Sequence, residues 1–213
     1  MEHRKILHSK YRKMRKGIEG RLSHFETVGQ SSAQTLFEEL AFCILTPQSK
    51  AFSCDEAIRE LRRSGLLWNG NVEEVRAVLA KKTRFHNKKA VFLLLAREKF
   101  YKDGFASLHA LTFSGSEHEA REALLKEVKG IGWKEASHYL RNVGRGREIA
   151  ILDRHILKNL VKHRAIGRLP KSLTQKRYLE IEKKMENFCR EEGIPMAHLD
   201  LLFWAEETGK IFK

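Results

Sequence analysis

The chain has 213 residues, of which 42% are hydrophobic; this suffices for one large domain or two small ones sharing a core and excludes a disordered tail or linker. Lysine and arginine number 41 against 27 aspartate and glutamate, and a formal net charge of +14 on a folded chain points to a polyanionic partner. With only three prolines, long uninterrupted helices are favoured over a proline-punctuated β-sandwich.

The N-terminus is basic, but no apolar stretch follows it, so no signal peptide is expected. Residues 34–45 (QTLFEELAFCIL) place Leu36, Phe37, Leu40, Ala41, Ile44 and Leu45 at three-to-four spacing after a polar Ser31-Ser32 pair, which predicts a helix. Shorter versions of the pattern follow at 54–63 and 72–80, separated by Ser64-Gly65 and Asn69-Gly70-Asn71. A strongly apolar helix is predicted over 87–101, ended by Asp103-Gly104. Ser116 with Glu119 three residues on is a capping-box signature that opens a helix over 117–128. Further helices are predicted from Trp133, after Asp153, near 174–191 and over 196–207, the last two split by Gly193 and Pro195. Ile149 to Leu152 is the nearest thing to a strand, and it is too short to alternate. The predicted class is all-α.

Apolar runs such as Ala90 to Ala96 and Leu199 to Ala205 are too short to span a bilayer, so no membrane partner is expected. Cys43, Cys54 and Cys189 match no zinc, iron–sulfur or secreted-disulfide spacing. The expectation is a cytoplasmic protein with reduced thiols. Its charge is blocked: residues 1–22, 81–102 and 126–177 carry +6, +7 and +10, and each of the three remaining stretches carries −3. A single such block reads best as a solvated helix face. Three blocks nearly stripped of acids read better as strips that meet a phosphate backbone.

The informative stretch is LLKEVKGIGWKEASHYLRNVG, residues 124–144. One helix ends at Val128, Lys129-Gly130-Ile131-Gly132 forms a tight hairpin, and a second helix starts at Trp133, which together make a helix-hairpin-helix. The free amides of the hairpin and the new helix are a ready seat for a phosphate. A glycine hairpin alone is weak evidence, because many helix pairs turn this way. Lys134, however, lies in the first turn of the second helix, where the positive end of the dipole and the basic neighbours favour a neutral, nucleophilic amine. Nineteen residues on, the apolar run Ile149-Ala150-Ile151-Leu152 closes on Asp153, which reads as the N-cap of the next helix and as a carboxylate of fixed direction.

The pattern K-G-I-G-W-K followed by I-L-D-R-H resembles the helix-hairpin-helix/Gly–Asp superfamily of base-excision DNA glycosylases, whose lysine-bearing members also nick the strand. The resemblance includes Ala41 to Gln48, similar to the family's early helix and opposite-base probe, and Arg84 to Ala90, similar to the start of its central helix. The ending Thr208 to Lys213 resembles the short, archaeal-type 8-oxoguanine DNA glycosylase/AP lyases. The chain lacks the four clustered cysteines of the endonuclease III group and has no room for the N-terminal β domain of the mammalian type.

The resemblance implies two helical lobes flanking a DNA-binding cleft, with residues 31–145 forming a helical-barrel lobe and residues 1–30 plus 146–213 the other. It implies Lys134 as Schiff-base nucleophile and Asp153 as the carboxylate that stabilises the sugar cation, without metal or cofactor. For the flipped base, Lys213, Trp204, Asp200, His138 and Phe85 are candidate contacts. For DNA, the candidates are Gln48, which would fill the gap in the stack, with Lys129, Gly130, Gly132 and His155. The implied partner is double-stranded DNA containing oxidised guanine, bound by a monomer associated with the prokaryotic nucleoid. Two alternatives stay open: the same mechanism on another oxidised base such as a damaged pyrimidine, or a helix-hairpin-helix module that grips DNA without cutting it.

Overall fold

The computed structural model describes residues 2–213, with side chains from Arg4 onward. Among the described residues every regular element is helical, as predicted. In chain order they are α1 (Glu2–Gly29), α2 (Ala33–Leu45), α3 (Ala51–Arg63), α4 (Leu66–Asn69), α5 (Val72–Ala80) and α6 (His86–Tyr101). They continue with α7 (Ala106–Phe113), α8 (Glu117–Glu127), α9 (Trp133–Asn142), α10 (Arg154–Lys162), α11 (Gln175–Glu192) and α12 (Met196–Thr208). The chain divides into two compact units: Gln30–Tyr139, and α1 together with Leu140–Lys213.

The first unit is built on α2, whose residues from Leu40 to Leu45 are all buried. A helix apolar on every side must be surrounded. The Phe37 ring lies 5.0 Å from Phe105 and 5.8 Å from Trp68. Ser32 caps α2 by accepting from the Thr35 amide, and the Ser116–Glu119 capping box that opens α8 is present in both directions. In the second unit α12 packs against α1, α10 and α11 and buries Leu199, Leu201, Leu202 and Phe203. Gly193, at φ +62°, ends α11, and Pro195 precedes the first turn of α12.

Three helices differ from the sequence-based expectation. The 28-residue α1 is masked by charge, although Leu7, Tyr11, Ile18 and Phe25 form its buried stripe. The short α4 and α7 show no period, because each is a brief, largely apolar turn or two. The apolar run Ile149 to Leu152 is buried but pairs with no strand. Side chains of α11 satisfy it instead: Glu182 Oε2 accepts from the Ala150 amide at 2.7 Å, and the Tyr178 hydroxyl donates to Ala150 O at 2.6 Å and accepts from the Leu152 amide at 3.2 Å. Two side chains thus do the work of a partner strand and hold the backbone that leads into Asp153.

Candidate functional site

The hairpin between α8 and α9 is shaped by Gly130. Its φ of +89° is a conformation that a side chain disfavours, and a Cβ there would sit 2.3 Å from Phe92 Cδ2 and 2.6 Å from Cγ. Arg121 of α8, almost fully buried, lies 4.6 Å from the Trp133 ring and donates from Nη1 to Ser137 Oγ at 3.3 Å, which ties the two hairpin helices together. The sequence predicts that all the hairpin amides are free. The structure corrects this for Gly132, whose N–H donates to Glu135 Oε2 at 3.2 Å, whereas those of Gly130 and Ile131 have no partner among the described residues. Lys129 is exposed beside them and makes no ion pair among the described residues.

Lys134 lies in the first turn of α9 with a side chain 22% exposed. Its Nζ donates to Thr46 Oγ1 at 3.3 Å and is 3.6 Å from Glu135 Oε1. Neither group follows from the dipole and the basic neighbours of Lys134. Thr46 follows α2, and two residues on stands Gln48, exposed and in the left-handed region at φ +52°. Phe85, the residue before α6, is likewise left-handed at φ +57° and 52% exposed. A left-handed residue other than glycine is uncommon, and an exposed aromatic one more so; such strain persists where surroundings over-determine it. His138, one turn after Lys134, is 6% exposed and set edge-on to Phe42 with ring centroids 5.5 Å apart. That burial makes it a packed residue, with little surface to offer a base.

The remaining candidates belong to the second unit. Asp153 caps α10, its Oδ1 accepting from the amides of His155 and Ile156 at 2.8 Å each, while Oδ2 takes neither bond. Next to it, His155 Nδ1 is 3.7 Å from Glu207 Oε2. Asp200, expected to accept from a base, is instead 6% exposed and bound through Oδ2 by Arg141 Nη1 at 3.0 Å. Arg141 in turn lies over the Phe25 ring at 4.9 Å. The helical spacing that placed Asp200 beside Trp204 was sound, but it gave no sign of a buried arginine from another element. Trp204 is half-buried and stacks on Phe212 at 6.0 Å, and Ile211 Cδ1 packs where a Cβ on Gly17 would come within 2.9 Å. The tail that ends in Lys213 is therefore anchored on α1 and α12 by two apolar side chains.

The sequence model of the family described as 8-oxoguanine DNA glycosylase matches residues 18–194. The chain belongs to this family. An 8-oxoguanine DNA glycosylase/AP lyase from Fusobacterium nucleatum is 46% identical over 95% of this chain and 94% of its own length. One of the same name from Methanocaldococcus jannaschii is 38% identical over 92% of this chain and 91% of its own. The crystal structure of the Methanocaldococcus jannaschii 8-oxoguanine glycosylase/lyase with a 15mer DNA containing 8-oxoguanine is similar at a TM-score of 0.88 and 33% identity, covering all of both chains. The spacing that singles out the motif residues gives no sign of the groups that contact them. Glu135 and Arg141 are ordinary polar residues of α9, and Thr46 lies just past α2, far from the motif in sequence; only the folded chain shows what they hold.

Proposed function

We propose that this protein excises 8-oxoguanine from double-stranded DNA and then nicks the strand at the resulting abasic site, with Lys134 as the nucleophile. The observation that carries the reading is the placement of Lys134. Directly after the glycine hairpin, it projects a half-buried amine from the first turn of α9, with one carboxylate and one hydroxyl in reach. A non-catalytic DNA-binding module has no use for a lysine held in that way.

The unpartnered amides of Gly130 and Ile131, with Lys129 beside them, bind a backbone phosphate. The target nucleotide turns out of the duplex, and Gln48 occupies the space it leaves. Trp204 and Phe85 offer ring faces to the extruded base, and Lys213 offers an ammonium.

Glu135 is the nearest carboxylate to the Lys134 ammonium and receives its proton. The free amine adds to C1′ as the C1′–N9 bond breaks, and the base leaves with the bonding pair and is protonated. Asp153, with one oxygen held by the α10 cap, supplies negative charge to the cationic sugar. Ring opening gives an imine between Lys134 and C1′. Loss of a proton from C2′ then expels the 3′ phosphate, breaking the C3′–O bond, and hydrolysis of the imine returns the lysine. The protein acts as a monomer on nucleoid DNA in the cytoplasm.

The test is an excision assay on duplexes that carry 8-oxoguanine, an oxidised pyrimidine or an abasic site. The proposal expects excision of 8-oxoguanine, cleavage at the abasic site and little excision of the pyrimidine. Efficient pyrimidine excision would move the substrate to the other oxidised bases. Binding without any cleavage would leave a DNA-gripping module.

A further inference from the structure

The α2–α3 turn, from Thr46 to Lys50, is held by a cation that the proposed mechanism does not use. Lys89 of α6 is 4% exposed, and its Nζ donates to Leu45 O at 2.6 Å, Pro47 O at 2.8 Å and Ser49 Oγ at 2.8 Å. The three protons of an ammonium are thereby all spent on one turn, two on backbone carbonyls and one on a side-chain hydroxyl. Among the described residues Lys89 has no carboxylate within ion-pair distance. The charged and titratable groups facing it are Cys54 of α3, Lys134 and Glu135 of α9, and Arg84, and burial pushes its amine down to about 8. Lysine is rarely buried so completely, and a buried charge held only by neutral acceptors costs stability. The cost is offset by what the turn gains.

The last carbonyls of a helix lack intrahelical partners, and a helix commonly ends on a left-handed glycine that lets the chain satisfy them. Here the left-handed residue of the turn is Gln48, and Lys89 donates to Leu45 O and Pro47 O before it and to Ser49 Oγ after it. Ser49 Oγ also accepts from the Arg84 amide at 2.9 Å, so the same ammonium is linked to the second strained turn, which carries Phe85. Thr46, within the same turn, accepts from Lys134. One buried ammonium therefore ties together the residues that flank Gln48.

We propose that Lys89 is a positioning residue, whose ammonium locks the Thr46–Lys50 turn so that Gln48 enters the DNA stack when a nucleotide is turned out. The inference rests on the reading of Gln48 as the residue that fills the gap. Lys89 touches no substrate in this account; it acts through Gln48.

The experiment measures single-turnover excision of 8-oxoguanine from two substrates. In one the lesion is paired in an ordinary duplex; in the other it lies in a three-nucleotide bubble, already unstacked, where no wedge is needed. Lys89→Met keeps the length and the apolar stem while removing the charge, and Ser49→Ala removes one of the three links more gently. Both are compared with Gln48→Ala and with the Lys89→Met/Gln48→Ala pair. The expected result is a loss of roughly tenfold or more on the paired duplex for Lys89→Met and Gln48→Ala, a smaller loss for Ser49→Ala, and near-normal rates for Lys89→Met and Ser49→Ala on the bubble. The pair should be no worse than Gln48→Ala alone, because the two act as one unit. Equal losses on both substrates for Lys89→Met would show a merely structural lysine and overturn the proposal. Loss of the paired-duplex rate in Gln48→Ala but not in Lys89→Met would overturn it while leaving the reading of Gln48 intact. A neutral Gln48→Ala would remove the probe itself, and the proposal would fall with that reading.

Discussion

Asp153 holds two jobs in one side chain, and two substitutions separate them. Oδ1 accepts both cap hydrogen bonds, from the amides of His155 and Ile156 at 2.8 Å each, and Oδ2 accepts neither. In Asp153→Asn the amide oxygen replaces Oδ1 at the cap, so stability should change by less than about 0.5 kcal/mol. Asp153→Ala loses both cap bonds and should cost about 1 kcal/mol, within a range of roughly 0.5–2. In a protein of this length each kcal/mol lowers Tm by about 2–4 °C. Both variants remove the negative charge proposed to face the sugar cation, and losing one such electrostatic group typically costs about 2.7–4 kcal/mol, or roughly 100- to 1,000-fold in rate. Thermal unfolding should thus rank wild type and Asp153→Asn together, above Asp153→Ala. Single-turnover excision of 8-oxoguanine should rank the two variants together, far below wild type. If Asp153→Asn kept excision within about tenfold of wild type, the carboxylate would be a cap and nothing more.

Gly130→Ala combines a left-handed backbone cost of about 1–2 kcal/mol with an overpacking cost of about 1–3 against Phe92, so urea unfolding should show a loss of about 2–5 kcal/mol. Adding Phe92→Ala should recover the packing part only, and full additivity of the two changes would refute the contact. Ending the chain at Phe212 should lower 8-oxoguanine excision relative to abasic-site cleavage, because losing a charge-assisted hydrogen bond costs about 1.5–3 kcal/mol of base recognition; an unchanged ratio would make Lys213 a bystander. Binding measured across a salt series should show log K falling by about 0.9 per phosphate contacted, and a flat series would reduce the +14 to solvation charge. The slope should correspond to fewer contacts than the basic residues of the blocks, because Lys10, Arg141, Arg147, Lys158 and Lys162 are already paired with carboxylates.

The helices that pack on one face were legible, because their apolar spacing repeats and their caps are local: Ser116 and Glu119 lie three residues apart and bond to each other. The same locality made the hairpin and the cap role of Asp153 readable. What escaped was carried by contacts distant in sequence. Ile149 to Leu152 resembled a strand because it is an unbroken apolar run, yet its partners are Tyr178 and Glu182, about 30 residues away on α11. Asp200 looked available on its helix face, and Arg141, 59 residues earlier, closes it. Lys89 lies in the basic block 81–102, which reads as a strip that meets phosphate, although its ammonium is spent on the turn after α2. Sequence gives residue type and spacing; which charge is buried depends on the fold that surrounds it.

The account depends most on the identity of the nucleophile, and a covalent trap reads that identity directly. With borohydride and a duplex containing 8-oxoguanine, the wild-type protein should form a stable protein–DNA adduct. Peptide mapping should then place the reduced imine on Lys134. Lys134→Gln should bind the same duplex and yield no adduct. An adduct of wild-type amount in Lys134→Gln, or one mapped to another amine such as Lys89, would contradict the assignment.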